Sequence, residues 1–209
     1  SNSRVFGTDT QLKKNLITEI SAVLSFSAIQ NNDKIGVVMF SDKIEKFIPP
    51  KKGRKHILRI IRELIEFTPE GSGTNISEAL KYLTNVIKKR STAFLISDFF
   101  DKDEETEQLN YEEALRIANN KHDVIGLQIY DKRETDLPPV GVIHMKDAET
   151  GESIWVDTSS KKVRASYKDW WNSTNQQIKT TFSQAGIDYT SIATGQDYVK
   201  PLVNLFKRR

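Results

Sequence analysis

Short, continuous apolar runs alternate along the chain with longer segments whose apolar residues recur at helical spacing. The first long segment predicts a helix over residues 9–30. The most informative short run covers residues 92–96 and has polar residues on both sides. This pattern predicts a strand buried on both faces, which ends at Ser97 and Asp98.

The same reasoning predicts the remaining elements. We expect strands over residues 34–40, 43–48, 122–130 and 187–193, and helices over about 74–90, 111–120, 160–185 and 197–206. The basic stretch over residues 51–62 should run into a further helix, whose apolar residues are Ile57, Ile60, Ile61, Leu64 and Ile65. The second strand should pair antiparallel with the first and end before Pro49 and Pro50. Two further strand-like runs, 141–146 and 153–157, predict a β-hairpin inserted at about 132–158.

This alternation of helix and strand predicts an α/β fold with a doubly wound, mostly parallel sheet and one antiparallel edge strand. We expect residues 1–209 to form one domain that carries the inserted hairpin. A sheet of this kind normally begins with a buried strand, yet this sequence opens with polar residues and a helix. We therefore expect the first central strand to lie upstream, with Ser1 and Ser3 following it on the same rim as Thr74 and Asp98.

Composition narrows the classes of function. The chain has 209 residues, of which 37% are hydrophobic and 28% charged, and its net charge of +3 is too small to indicate nucleic-acid binding. It has no cysteine, which excludes disulfides and thiolate chemistry, and its three histidines are far apart, which argues against a zinc site. No apolar run approaches the ~20 residues of a membrane span. We expect this stretch to be cytoplasmic and to make no membrane contact, with an upstream anchor in the full-length protein left open.

Three local features allow both a structural and a functional interpretation. Asp98 lies where ligands bind in parallel sheets, although Ser-Asp pairs are also common turn residues. Thr74 follows a glycine-rich loop and can be explained as a helix N-cap; the loop lacks the lysine of a phosphate-binding P-loop. Lys51, Lys52 and Arg54 form either a solvated helix start or a docking patch for an acidic partner or a phosphate.

Several motifs together resemble a known bacterial family. They are Ser1-Asn-Ser-Arg-Val-Phe-Gly-Thr8, Phe40-Ser-Asp-Lys-Ile-Glu-Lys-Phe-Ile-Pro-Pro50, Gly73-Thr-Asn-Ile76, Ser97-Asp-Phe-Phe-Asp101, Asp131-Lys-Arg-Glu-Thr-Asp-Leu-Pro138 and Asp147-Ala-Glu-Thr-Gly-Glu152. In combination they resemble the von Willebrand factor A-like domain of the family called domain of unknown function fifty-eight, and the match spans nearly the whole chain.

The resemblance implies a metal-ion-dependent adhesion site with Mg²⁺ as its cofactor. By position in the motif, the implied ligands are Ser1, Ser3, Thr74 and Asp98. A hard cation such as Mg²⁺ prefers oxygen ligands of this kind. The first aspartate of the motif would lie two residues before Ser1, outside this sequence. We therefore expect weak or absent metal binding by residues 1–209 and metal binding by a longer chain.

The resemblance also implies a function. We expect a non-enzymatic protein-interaction module that binds an acidic residue of a partner protein and acts as an adaptor beside a MoxR-type AAA+ ATPase. Phe99 and Asp101, together with Lys51, Lys52 and Arg54, are the expected partner contacts. The alternative is a metal-dependent hydrolase or phosphoesterase that uses Asp98 and Asp101, which the absence of a nearby histidine in the sequence disfavours.

Overall fold

The computed structural model describes residues 9–71, 73–103, 106–146 and 153–209. Helices and strands alternate through most of these ranges. They are α1 (Asp9–Gln30), β1 (Ile35–Phe40), β2 (Ile44–Lys51), α2 (Arg54–Glu66), α3 (Ile76–Val86), β3 (Thr92–Ser97), α4 (Glu112–Lys121), β4 (Asp123–Tyr130), a 3₁₀ turn (Lys132–Glu134), β5 (Val142–Lys146), β6 (Ser153–Asp157), α5 (Lys161–Gln184), β7 (Asp188–Ala193) and α6 (Val199–Lys207).

The strands form one parallel sheet and two antiparallel pairs. The parallel sheet has the order β3-β4-β7, with Phe94 opposite Ile125 and Ile125 opposite Asp188. β1 pairs antiparallel with β2, and β5 with β6. The structure thus confirms a mixed α/β fold, the antiparallel second strand and the paired strands of the hairpin.

β4 is the centre of the parallel sheet and separates two hydrophobic cores. Ile125, Leu127 and Ile129 face a core shared with α1 and α6. Val124 faces the opposite core, which α3, α4 and α5 contribute to. Successive residues of a strand point to opposite faces, so the buried apolar residues of β4 contribute to both cores at once.

The prediction that residues 92–96 are buried on both faces is wrong. Thr92 is exposed, and Ala93, Phe94 and Ile96 are only half-buried, whereas the six inner residues of β4 are all buried. The reason is the pairing: among the described strands, β3 is hydrogen-bonded to β4 alone and lies at one edge of the parallel sheet.

β2 also differs from its prediction, because it continues through Pro49 and Pro50 to Lys51. Proline cannot donate a ladder hydrogen bond, and it is tolerated on a strand whose other side has no neighbour. Among the described strands β2 pairs only with β1, so its prolines lie on an edge strand.

Within the ranges that the structure describes, the helices are all too short or too polar to cross a membrane.

Candidate functional site

The loop after β3 carries the predicted carboxylate on a tightly held backbone. Phe99 has a positive φ of 66°, and its ring is completely buried, 4.8 Å from the ring of Phe182 between centroids. The Phe99 amide donates to Ser97 Oγ at 3.1 Å, and Tyr111 Oη donates to the Phe99 carbonyl at 3.0 Å. Gln128 Nε2 donates to the carbonyl of Asp98 at 3.1 Å. The contacts of these four side chains with Asp98 and Phe99 fix the direction in which the loop leaves β3.

Asp98 is 3% exposed and faces a lysine from α1. The ammonium of Lys13 lies 3.7 Å from Asp98 Oδ2 and 2.6 Å from Glu134 Oε1. Lys13 and Glu134 are themselves 8% exposed, so the three charged groups form a buried cluster at the carboxyl end of β3. A buried carboxylate is stable only when it is paired or hydrogen-bonded, and Lys13 supplies the positive charge here.

Thr74 is not the N-cap of α3. That role belongs to Asn75, whose side-chain oxygen accepts a hydrogen bond from the amide of Glu78 at 2.9 Å. Thr74 Oγ1 is buried and has no hydrogen-bond partner within the described part of the chain. A buried hydroxyl without a partner costs about 1–3 kcal/mol, so the capping interpretation no longer explains this residue.

A cavity of about 290 Å³ brings the two predicted ligands together. Thr74 and Asp98 both line it, with Ser97 and Lys13 beside them. The rest of its wall is mostly apolar and comes from β1, β3, α1 and α2. The sequence placed Thr74 and Asp98 on one rim of the sheet, and the structure places them on one cavity.

Asp101 supports the start of α3. It is 6% exposed, and its Oδ2 accepts a hydrogen bond from the Ile76 amide at 2.8 Å, while Oδ1 accepts one from Asn110 Nδ2 at 3.1 Å. Burial raises the pKa of Asp101 above its ordinary value despite these two hydrogen bonds. Its contacts are those of a residue that joins the β3 loop to α3.

A second carboxylate follows β4 at the same end of the sheet, and sequence reasoning missed it as a site residue. Asp131 is 2% exposed and accepts hydrogen bonds from Thr194 Oγ1 at 2.6 Å and from Arg133 Nε at 3.1 Å. Burial alone would raise the pKa of Asp131, but these hydrogen bonds outweigh burial and lower it to about 2. The sequence feature that could have identified Asp131 is its position directly after the predicted strand over residues 122–130.

The other predicted contact residues lie in different places. Ser1 and Ser3 are outside the described residues. Phe99 is fully buried, so it supports the loop from inside and offers no surface to a partner. The basic residues of the predicted docking patch are exposed at the end of β2 and the start of α2, and they line neither of the two described cavities: Lys51, Lys52 and Arg54.

Aromatic side chains flank the β3 loop. Phe100, half-buried, stacks on Trp170 with ring centroids 5.8 Å apart and lies 5.1 Å from Trp171. Trp171 is 8% exposed and Trp170 is 43% exposed. Adjacent helical residues point about 100° apart, which explains why only one of the two tryptophans is buried.

The donor set agrees in type with a hard cation, since Thr74 offers a hydroxyl that has no other partner in the described part of the chain and Asp98 offers a carboxylate. Across the described residues, no group of three or more His, Asp or Glu side chains is arranged to hold a metal. Two oxygen ligands alone do not complete a Mg²⁺ site, so further ligands would have to come from elsewhere.

The fold and this rim define a mixed α/β protein with buried, polar side chains at the carboxyl ends of its parallel strands. The chain belongs to the family described as protein of unknown function DUF58, which matches residues 1–177. Uncharacterized proteins of Mycobacterium bovis and Mycobacterium tuberculosis are 23% identical to it over 213 residues, covering 100% of this chain and 64% of each relative. The chain therefore spans less than two thirds of the length of these curated relatives.

Two solved structures are similar to this fold. The conserved hypothetical protein BatB from Bacteroides thetaiotaomicron matches with a TM-score of 0.52 and 16% identity, over 93% of this chain and 85% of that one. An aerotolerance-related membrane protein from Bacteroides fragilis matches with a TM-score of 0.53 and 15% identity, over 91% and 88%. At this level of identity the likeness concerns the fold alone.

Proposed function

We propose that this chain is a non-enzymatic protein-interaction module whose binding site is completed by a divalent cation at the rim formed by Thr74 and Asp98. The observation that carries the proposal is Thr74 Oγ1, which is buried without a hydrogen-bond partner among the described residues, on the cavity that Asp98 also lines. Proteins rarely leave a buried hydroxyl unpaired, so such a group is a good candidate for contact with a missing ligand.

The cation would be held by Thr74 and Asp98 from this chain, with Ser1 and Ser3 as the further ligands that the family motif implies. When bound, Mg²⁺ would supply an electrophilic centre for a carboxylate of the partner. Lys13 has a defined role in this scheme, because its ammonium stabilises Asp98 while the cation is absent. The affinity for the metal should therefore be modest, since the cation has to compete with the ammonium of Lys13 for Asp98.

The partner we propose is a MoxR-type AAA+ ATPase, with this chain as an adaptor in a doubly wound, von Willebrand factor A-like domain. The partner and the adaptor role rest on the motif resemblance, while the likeness to two solved α/β structures supports only the fold in this proposal. One of those structures comes from a protein described as a membrane protein, which supports the further proposal of an anchor outside residues 1–209.

The hydrolase alternative has less support. No described histidine lines either cavity, and Asp101 is occupied by the Ile76 amide and by Asn110. The described residues that line these cavities thus offer no histidine to act as the general base for water activation. Turnover of phosphoester or peptide substrates that Asp98→Asn abolishes would favour the hydrolase instead.

A test of the metal site follows from the hydroxyl. In a natural chain that begins upstream of Ser1, we expect Mg²⁺ to raise the melting temperature relative to EDTA. Thr74→Val should remove this increase and, in EDTA, should leave stability unchanged or raise it by about 1 kcal/mol, because an unpaired buried hydroxyl disappears. Thr74→Ser keeps the hydroxyl and should retain the response to Mg²⁺.

The carboxylate is tested by Asp98→Asn, with Asp136→Asn as the matched control because Asp136 is exposed. Asp98→Asn should abolish the Mg²⁺ response and Mg²⁺-dependent binding to the ATPase, whereas Asp136→Asn should change neither. Equal melting temperatures with Mg²⁺ and EDTA in the unsubstituted chain would remove the metal-site proposal.

A further inference from the structure

A row of three aromatic side chains lies beside the β3 loop, and the proposed cation site does not use it. The ring of Trp170 stacks on that of Phe100, with centroids 5.8 Å apart, and lies 5.6 Å from the ring of Tyr167. Phe100 and Tyr167 are half-buried, whereas Trp170 is 43% exposed. We call these three residues the aromatic ledge.

The aromatic ledge is attached to the buried charge cluster at both ends. At one end, the Phe100 amide donates to Asp98 Oδ1 at 3.4 Å. At the other end, Tyr167 Oη donates to the carbonyl of Glu134 at 2.8 Å. Glu134 pairs with Lys13, whose ammonium also faces Asp98. These contacts close a ring, so the ledge and the candidate cation site keep a fixed relative position.

The core does not account for the exposed member of the ledge. Trp171 already fills the core at this turn of α5, since it is 8% exposed and lies 5.1 Å from Phe100 and 6.1 Å from Tyr130 between ring centroids. Trp170 adds a second large ring that the core does not enclose. Tryptophan and tyrosine are enriched in protein interfaces, where they contribute a large share of the binding energy.

The surroundings of Trp170 leave its ring accessible. Residues three and four positions apart are neighbours on a helix, and the exposed neighbours of Trp170 at this spacing are Ser166 and Ser173. Serine is too short to cover an indole ring, whereas a lysine or arginine at these positions would lay its apolar stem across it. α5 therefore presents an uncovered apolar surface at the edge of the candidate site.

The charge of the site decides which kind of side chain matches the ledge. A tryptophan ring accepts either an apolar group or a cation. Among the described side chains of the buried cluster, the carboxylates of Asp98 and Glu134 outnumber the ammonium of Lys13, so a bound divalent cation changes their net charge from negative to positive. A positive cluster attracts a carboxylate and repels a lysine or arginine on the neighbouring ring. The ledge is therefore matched by an apolar partner side chain.

We propose that the aromatic ledge binds an apolar side chain of the same partner segment whose carboxylate meets the cation. This inference rests on the proposed function, because the cation site supplies the carboxylate contact. Phe100 alone bridges Asp98 and Trp170, which makes the two contacts neighbours on the surface. Two to four residues of extended chain span about 7–14 Å. A short acidic segment with an aliphatic or aromatic residue two to four positions from its carboxylate is thus the partner chemistry that fits.

The test measures binding of the natural chain that begins upstream of Ser1 to the MoxR-type ATPase, in Mg²⁺ and in EDTA. Trp170→Ala should weaken binding in Mg²⁺ about 30-fold, the usual effect of truncating a central aromatic contact. Trp170→Phe keeps an apolar ring and should retain most of the affinity. Trp155→Ala is the matched control and should leave the affinity nearly unchanged, because Trp155 is 73% exposed and packs on the ring of His144 in the β5–β6 hairpin.

Salt distinguishes an apolar contact from a charged one at the ledge. The dissociation constant of Trp170→Ala, divided by that of the unsubstituted chain, should be the same at about 0.05 and 0.5 M NaCl, because salt screens charges and leaves apolar burial in place. A ratio that falls towards one at high salt would place a cationic side chain on the ring and overturn the proposal.

The melting temperature separates this proposal from the proposed function. Trp170→Ala should keep the increase in melting temperature that Mg²⁺ causes, since Trp170 contributes no ligand, whereas Asp98→Asn should remove it. Full affinity of Trp170→Ala, or an equal loss in Trp155→Ala, would overturn the ledge and leave the cation site in place. A Trp170→Ala chain without the Mg²⁺ increase would make its effect structural and also overturn the ledge. Binding that depends on neither Mg²⁺ nor Asp98 would overturn the cation site, and the ledge proposal with it.

Discussion

Replacement of Lys13 by methionine tests the buried charge cluster. The change keeps most of the apolar side chain and removes the ammonium, which lies 2.6 Å from Glu134 and 3.7 Å from Asp98. The side chains of Lys13 and Glu134 are 10% exposed and that of Asp98 is 2% exposed, so water cannot replace the lost charge easily. Removal of one partner from a buried ion pair typically costs about 3–5 kcal/mol, and we expect Lys13→Met to fall in this range without metal.

The assay is urea unfolding at pH 7 in EDTA. Lys168→Met is the matched control, because Lys168 pairs with Asp136 at 3.1 Å but both side chains are more than half exposed. Such a surface pair contributes about 0–1 kcal/mol, so the control should lose little stability. Adding Glu134→Gln to Lys13→Met should recover part of the loss, since one buried negative charge is removed.

Metal should reduce the cost of Lys13→Met in the longer natural chain. A cation bound beside Asp98 replaces part of the lost positive charge, and binding at 100 times its dissociation constant adds about 2.7 kcal/mol of stability. A loss below about 1 kcal/mol in EDTA, equal to that of Lys168→Met, would refute the argument that Lys13 stabilises buried carboxylates.

Two further predictions concern the sheet and its rim. Gly126→Ala should lower the free energy of unfolding, measured in urea, by about 1–3 kcal/mol, because a Cβ there would lie 2.4 Å from the ring of Phe182. Adding Phe182→Leu should recover part of the lost stability. A Gly126→Ala variant as stable as the unsubstituted chain would contradict this packing. Thr194→Val should raise the pKa of Asp131 from about 2 towards its ordinary value, because a hydrogen bond to the carboxylate is lost. A carboxylate whose pKa is lowered in the folded state stabilises the fold at pH values above the ordinary pKa, and this stability is lost as the pH falls towards 2. The Thr194→Val variant should therefore unfold in acid at a higher pH. An unchanged pH midpoint of acid unfolding would contradict the role of Thr194.

The sequence predicted most elements because their signals are local. α1 begins and ends where the helical stripe does, and α5 (Lys161–Gln184) agrees within a residue with the predicted helix over 160–185. β4 (Asp123–Tyr130) lies within the predicted strand over residues 122–130. Helical geometry accounts for the unequal burial of Trp170 and Trp171, because adjacent helical residues point about 100° apart.

The errors concern properties that depend on distant residues. The apolar run of β3 indicates two neighbours, but whether a neighbour is present depends on another part of the chain. Thr74 and Asn75 are both good caps by type, and only the backbone geometry decides that Asn75 takes the role. Lys13 was not singled out because a lysine in an amphipathic helix normally points to solvent.

The candidate site was therefore predictable at Asp98 and not at Lys13, Glu134 or Asp131. Asp98 follows a strand, and strand ends are visible in the sequence. The contact of Lys13 with Asp98 and Glu134 joins three elements far apart along the chain, so no local pattern records it.

The backbone of the β3 loop has a consequence for the speed of recognition. Ser97 and Tyr111 already hold the amide and the carbonyl of Phe99, and Gln128 holds the carbonyl of Asp98, before any partner arrives. The ring of Phe99 packs against Phe182. A partner that binds there has no loop to close and little conformational entropy to remove. We expect association to be limited by diffusion and orientation, at about 10⁵–10⁷ M⁻¹s⁻¹, and differences in affinity between partners to appear in their dissociation rates.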